Sequence, residues 1–404
     1  MKMLFVNQFF WPDSSATSQQ LTDLVTVLGS RSTTVSVLCG DSGGYASAAG
    51  DSAPPAEVYR VRALPFKRGR IGRMVSYVSF YVSAFARGLI LPRQDVVVSM
   101  TTPPLIALLG GAIKLLRGSR HFIWEQDLYP EIAVDLAYIK PGGLTHRITG
   151  MLADAVRRQA DGIIVLGPCM KERLVARGIS PEKIHIAEHW ASSAAIRPLP
   201  RPGNREELVL LYSGNLGLAH DLDTIEKTML RLRNDPRFRF LFAGTGGKRE
   251  QLMHFLREHD IQNVEMRPFV DRDKLSEGLA AGDIGLVTQT DASCGALVPS
   301  KVYGILAAGR PLLFIGPARA TPALLIARHD CGWHFDCGDA EGVTALLLHL
   351  SEHPELVMRA GARAREALLR HYDLPQSVDR IAEILGAADL PSTSRAGLQL
   401  QTIP

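Results

Sequence analysis

Read for its apolar and polar positions, the chain alternates short hydrophobic runs with helical patterns. The runs "MKMLFVNQF", "TTVSVLCG", "VYRVRAL", "DVVVSM", "HFIWEQ", "GIIVLG" and "KIHIAEH" are rich in Val, Ile, Leu and Phe and end at turn residues. Continuous rather than alternating apolar runs predict strands covered on both faces, as in the parallel sheet of an α/β domain. The pattern breaks at "IRPLPRPGNREE", residues 196–207, where prolines, a glycine and mixed charge follow no period, which predicts a linker. It resumes with "LVLLYSGNL", "FRFLFAGTG", "VEMRPFV", "DIGLVTQT", "PLLFIG" and "GWHFD". The expected organisation is two facing Rossmann-like domains, 1–195 and 208–370, with a cleft between them. A helix over 371–388, placed to return to the first domain, and a disordered polar tail over 389–404 complete it.

Composition agrees with two soluble domains: 404 residues, 46% hydrophobic and 21% charged, exceed one ordinary core of about 200 residues. A net charge of +4 is too weak over this length to argue for nucleic acid. The five cysteines are scattered, odd in number and in no metal-ligand spacing, which predicts reduced buried thiols and a cytoplasmic protein. The first residues have too short an apolar run for a signal peptide and read as a first strand.

Ligands of such sheets bind beyond the carboxyl ends of the strands, so the chemistry is sought in the loops that follow them. In "YSGNLGLAHDLDTI", Gly214 and Gly217 permit close backbone approach just before a helix, either to hold a phosphate or as a plain turn capped by Asp221. "FAGTGGKREQL" offers Gly244, Gly246 and Gly247, but Arg249 stands where a dinucleotide fingerprint requires a third glycine. Asp271 and Asp273 imitate a metal pair yet precede a helical pattern, which favours capping. On the other side, "WEQDLYPE" closes a strand with Glu125, Asp127 and Glu131, while Trp124 reads as core.

Together, "YSGNLGLAHDLDTI", "FLFAGTGGKREQL", "PFVDRDKLSEGLAAGDIGLV" and "LVPSKVYGILAAGRPLLFIG" resemble the nucleotide-sugar half of family 4 glycosyltransferases of the GT-B fold. "NQFFWPDSSATSQQLTDL", "SMTTPPLIALLG", "WEQDLYPEIAVDL" and "ADGIIVLGPCMKERLVARGISPEKIHIAEHW" resemble the partner half, in the branch that builds bacterial capsule, O-antigen and colanic-acid-type polysaccharides.

The resemblance implies retaining transfer of a hexosyl group from a UDP- or GDP-sugar, with no required metal or other cofactor. It places Gly214, Asn215, Gly217, His220, Gly244, Val270, Leu297, Val298, Ser300 and Gly304 around the donor, and Ser14, Ser15, Thr17 and Thr102 on the acceptor side. Where many relatives carry an arginine and a lysine for the diphosphate this chain has Asn215 and His220. Where they have two glutamates it has Ala296 and Gly304. Lys301 becomes the leading cation for the departing diphosphate, against an ordinary helix-start lysine. Asp127 is the candidate to orient or deprotonate the acceptor hydroxyl, and Glu131 is either catalytic or a structural ion pair.

The stretch "PFKRGRIGRMVSYVSFYVSAFARGLILPR" adds a partner. Lys67, Arg68, Arg70, Arg73, Arg87 and Arg93 accompany Met74, Tyr77, Val78, Tyr81, Val82 and Phe85 at helical spacing. Only 13 residues separate Arg73 from Arg87, too few for the roughly 20 a spanning helix needs. The pattern fits an amphipathic helix on an anionic membrane, contacting it through Lys67, Arg68, Arg70, Arg73, Tyr77 and Tyr81, or a stripe packed on the sheet. Surface attachment suits the polyprenyl-diphosphate-linked acceptors of this branch and the inner face of the plasma membrane. Two other readings stay open: a nucleotide-sugar 2-epimerase on the same fold, and a non-catalytic partner subunit.

Overall fold

Two parallel sheets carry the chain in the computed structural model, which describes residues 1–13, 15–31, 33–41, 53–65, 69–201 and 207–387. The expected tail over 389–404 lies outside these residues. The first sheet contains β1 (Lys2–Val6), β2 (Thr34–Gly40), β3 (Glu57–Val61), β4 (Val96–Ser99), β5 (Arg120–Trp124), β6 (Gly162–Val165) and β7 (Ile184–Ile186), in the order β3-β2-β1-β4-β5-β6-β7. Its helices are α1 (Ala16–Gly29), α2 (Arg70–Ile90), α3 (Ala107–Arg117), α4 (Glu131–Asp135), α5 (Leu144–Gln159) and α6 (Pro168–Ala176). Every residue of β4 and β6 is buried, as continuous Val and Ile runs between two helical layers require. Trp124 is fully buried and stacks on Trp190, as its core assignment expects.

The second sheet contains β8 (Leu208–Ser213), β9 (Phe238–Ala243), β10 (Val264–Arg267), β11 (Ile284–Thr288), β12 (Leu312–Ile315) and β13 (Gly332–Phe335), in the order β10-β9-β8-β11-β12-β13. Around it lie α7 (Asp223–Arg231), α8 (Arg249–Glu258), α9 (Leu275–Ala280), α10 (Lys301–Ala307), α11 (Thr321–His329), α12 (Ala340–Glu352) and α13 (Pro354–Ala367). In both sheets the chain winds outward, returns and winds the other way, so β1 meets β4 and β8 meets β11. At those two switch points the loops diverge and leave a crevice.

The last helix, α14 (Leu374–Ile384), crosses back: Val378, Ile381 and Ala382 share a core with Leu21, Leu24 and Leu28 of α1. Asp373 fixes the crossing by accepting hydrogen bonds from the Ser193 amide at 2.9 Å and its hydroxyl at 2.6 Å. The two halves also touch across the cleft. Leu128 N–H donates to the Ala296 carbonyl at 2.8 Å, and Asp127 pairs with Leu297 as an isolated antiparallel bridge. Among the described residues, no helix is long and apolar enough to cross a membrane.

Candidate active site

The site begins with two loops that interlock by their backbones. Gly214, after β8, and Gly244, after β9, have φ of 140° and 139°, which side chains other than glycine's rarely tolerate. A Cβ on Gly244 would stand 2.1 Å from the Gly214 carbonyl oxygen, and one on Gly246 would stand 2.3 Å from that of Leu216. Gly214 N–H donates to the Ala243 carbonyl at 2.9 Å, and Leu216 N–H to that of Thr245 at 2.6 Å. The glycines of "FAGTGG" therefore serve loop-on-loop contact, which explains a dinucleotide-like spacing that lacks its third glycine.

Lys301, the first residue of α10, reaches beneath this pair of loops. Its ammonium nitrogen lies 3.6 Å from the centre of the Tyr212 ring, and a Cβ on Gly214 would be 3.4 Å from it. That nitrogen is buried with no hydrogen-bond partner among the described residues. Removal from water disfavours the charged form and pushes its pKa down to about 7. The Tyr212 ring face offsets part of this cost as a cation–π contact, and its hydroxyl donates to the Asn215 carbonyl at 2.8 Å.

The substitutes for the missing cations differ in kind. His220 Nδ1–H donates to the Thr288 carbonyl at 2.7 Å, and burial, with Lys301 nearby, pushes its pKa down to about 3, so the ring is neutral. Lys248, just before α8, reaches the same place, its ammonium donating to the His220 carbonyl at 2.6 Å. Asn215 is exposed on the loop, with its amide nitrogen 3.3 Å from where a Gly217 Cβ would sit.

The rest of the donor set is less uniform than its sequence suggests. Val298 buries its side chain in the first domain's core beside Leu128 and Ile163, so it offers the cleft only its main chain. The Leu297 carbonyl accepts from Gln289 Nε2 at 3.2 Å, and Ser300 forms the entry to α10. Val270 packs on Gly278 of α9. A Cβ on Gly304 would meet only Leu279 and Ile196, at 3.8 and 3.9 Å, so it points elsewhere than Lys301 despite sharing its helix. Gln289 and Ser293, both buried and in no motif of the sequence, tie the 289–297 loop to itself and to Ala219 through the Ala219, Ser293 and Leu297 carbonyls. Their only signal was position, directly after a buried strand.

Across the cleft, Asp127 is half-buried, and burial followed by the charge of Glu125 pushes its pKa up to about 6. Glu131 does not share its surroundings. It is buried against Arg177 at 3.0 Å and Arg157 at 3.9 Å, in a cluster completed by Glu125 on Arg157 at 2.8 Å and Asp154 on Arg177 at 2.6 Å. Both guanidinium groups belong to the fold of the first domain and occupy the Glu131 carboxylate, so the structure corrects Glu131 to a structural ion pair.

The acceptor-side loops are tied to each other. Ser15 caps α1 by accepting from the Ser18 amide at 3.4 Å, and Thr17 lies half-buried in its first turn. Thr102 N–H donates to Asn7 Oδ1 at 3.3 Å while its carbonyl accepts from the Gln8 amide at 2.8 Å. Thr101 Oγ1, next to Thr102, and Gln126 Nε2, in the loop after β5, are buried with no hydrogen-bond partner among the described residues. Tyr81 is corrected as a membrane contact: its hydroxyl donates to the Pro104 carbonyl and burial raises its pKa, so it belongs to the fold. Tyr77 is half-buried beside it. Ser14, Lys67 and Arg68, and the side chains of Arg70 and Arg73, lie outside the described residues.

Comparison with known proteins bears on both halves. Residues 16–189 match the family described as glycosyl transferase 4-like domain, and residues 200–367 match glycosyl transferases group 1. The chain is 25% identical over 302 residues to a protein named as glycosyltransferase WbjE of Pseudomonas aeruginosa, covering 72% of this chain and 74% of that one. It is 26% identical over 217 residues, 51% of each chain, to a protein named for colanic acid biosynthesis, the glycosyl transferase WcaI of Escherichia coli. Among solved structures, Anabaena HepE in complex with UDP superposes with a TM-score of 0.71 at 12% identity, over 96% of this chain and 100% of that one.

Proposed function

We propose, for a chain whose two halves belong to the glycosyl transferase 4-like and glycosyl transferases group 1 families, that it moves a hexosyl group with retention from a nucleoside diphosphate sugar to a lipid-linked saccharide. The protein is a glycosyltransferase of the GT-B type. The likeness to a UDP-binding structure supports the donor class, and the named relatives support polysaccharide synthesis. The polyprenyl-diphosphate acceptor and the inner membrane face follow from the branch resemblance.

The observation that carries the reading is the buried ammonium of Lys301 beneath the Gly214 loop, which has no hydrogen-bond partner among the described residues. A buried cation without a partner is costly, and a diphosphate laid across the loop satisfies it. As the glycosidic bond breaks, negative charge grows on the leaving diphosphate, and an ammonium already fixed there strengthens its interaction without reorganising. Lys248 extends the positive field at the place where His220, being neutral, supplies none. Opposite, Asp127 orients the acceptor hydroxyl and takes its proton. No metal has a step in this scheme.

The test is to incubate the protein with UDP- and GDP-hexoses and a short-chain polyprenyl-diphosphate saccharide. Release of free nucleotide together with a product whose new anomeric centre keeps the donor's configuration by NMR is expected. Inversion overturns retention. Nucleotide release without an acceptor, yielding the free epimerised sugar, favours the epimerase instead.

A further inference from the structure

The helical layer over α2, α3 and α5 has an outer face unlike that of an ordinary soluble domain. On α5, Leu144, Ile148, Met151 and Leu152 follow i, i+4, i+7, i+8 spacing, which puts them on one stripe. That stripe faces outward, with exposures from 41% to 76%. The inner face of the same helix carries Gly150, Ala153 and Val156, together with Arg157 in its ion pair with Glu125. On α2, Met74, Val75, Val78, Val82 and Phe85 form a second outward stripe, 42% to 67% exposed. Tyr81 is excluded from it by its bond to Pro104.

The stripes belong to one surface because α3 lies between them. A Cβ on Gly88 of α2 would meet Ile113 of α3 at 3.2 Å, and one on Gly111 of α3 would meet Val156 of α5 at 3.1 Å. Leu115 and Leu116, 71% and 61% exposed, place apolar groups at the end of the intervening helix. Contiguous apolar surface of this kind marks a docking site.

Charge identifies the occupant. Neither α2 nor α3 contains an Asp or Glu, and the single carboxylate of α5, Asp154, is taken by Arg177 at 2.6 Å. Arg93, Lys140, Arg147 and Arg158 are exposed at the borders of the layer. A second copy of the chain would bring the same basic border against itself, and like charges repel. An anionic bilayer supplies both parts of the match: apolar depth for the stripes and negative headgroups for the border.

We infer that the outer faces of α2, α3 and α5 together form a platform that lies flat on an anionic lipid bilayer. This rests on the lipid-linked acceptor reading and extends attachment from one helix to three. Both stripes enter the headgroup layer at once, so each contributes to binding and neither suffices alone.

The test uses the whole protein with vesicles of phosphatidylethanolamine and phosphatidylglycerol. The double variant Met151→Glu with Leu152→Glu should lower partition into sedimented vesicles by about 100-fold, the combined loss of two apolar side chains and gain of two like-signed charges. Val78→Glu with Val82→Glu on α2 should do the same. Met358→Glu, an equally exposed methionine of α13, should change nothing, and all three should keep the wild-type Tm. Wild-type partition of the α5 variant, with loss confined to the α2 variant, overturns the platform in favour of a single-helix anchor. Absence of vesicle binding by the wild type overturns it as well, as does a wild-type dimer that the α5 variant dissociates. Nucleotide release from the donor, measured without vesicles, judges the catalytic reading separately.

Discussion

At the scale of single residues, two ionisable groups with displaced pKa values belong to opposite halves of the molecule. Asp127 is a base only above about 6, where its carboxyl ionises, and Lys301 is a cation only below about 7 in the free protein. kcat/KM, which reports groups of the free enzyme, should therefore rise through the first value and fall through the second. Asp127→Asn should lower kcat at least about 100-fold and flatten the acid limb. Glu131→Gln should leave both limbs in place and lower Tm, because it removes the buried carboxylate that Arg177 and Arg157 share. A profile in which Glu131→Gln removes the acid limb and Asp127→Asn does not would exchange their roles. The sequence holds both carboxylates within "DLYPE" and cannot separate them. What separates them is Arg157 and Arg177, brought in from α5 and from beyond the end of α6, a contact that no local spacing encodes.

At the scale of elements, the strands were legible because burial on both faces demands unbroken apolar runs, and the glycine loops because their backbone conformation excludes other residues. The reason for the glycines was not legible: "FAGTGG" imitates a cofactor loop, yet its job is contact with the loop after β8. Gly246→Ala, whose Cβ would press on the Leu216 carbonyl, should cost about 2 kcal/mol, lowering Tm by about 4–8 °C, and weaken UDP binding with it. Gly247→Ala should leave Tm unchanged, since nothing lies within 4 Å of that Cβ. Equal Tm values for the two variants by thermal denaturation would refute the interlock. On α5 the inward face carries Gly150, Ala153, Val156 and Arg157, while Leu144, Ile148, Met151 and Leu152 are left outside.

At the scale of the molecule, two wound sheets, a returning α14 and the contact of residues 127–128 with 296–297 hold the cleft so that Asp127 and Lys301 come from opposite sides of it. Two domains were readable from the break over 196–207, while their mutual contact depends on side chains from both halves, such as Val298 in the first domain's core. Lys301 is buried with no hydrogen-bond partner among the described residues, and its proposed role is to meet the donor diphosphate. An ammonium so placed costs stability and gains its partner only with the substrate. The deciding measurement is Lys301→Ala, followed by nucleotide release and thermal denaturation on the same preparation. The expected result is a fall in kcat/KM of roughly 10- to 150-fold, the kinetic equivalent of one charge-assisted hydrogen bond of about 1.5–3 kcal/mol, with a Tm equal to or above that of the wild type. Unchanged turnover, or lost turnover accompanied by a lower Tm, would contradict it and leave Lys301 a packing residue of α10.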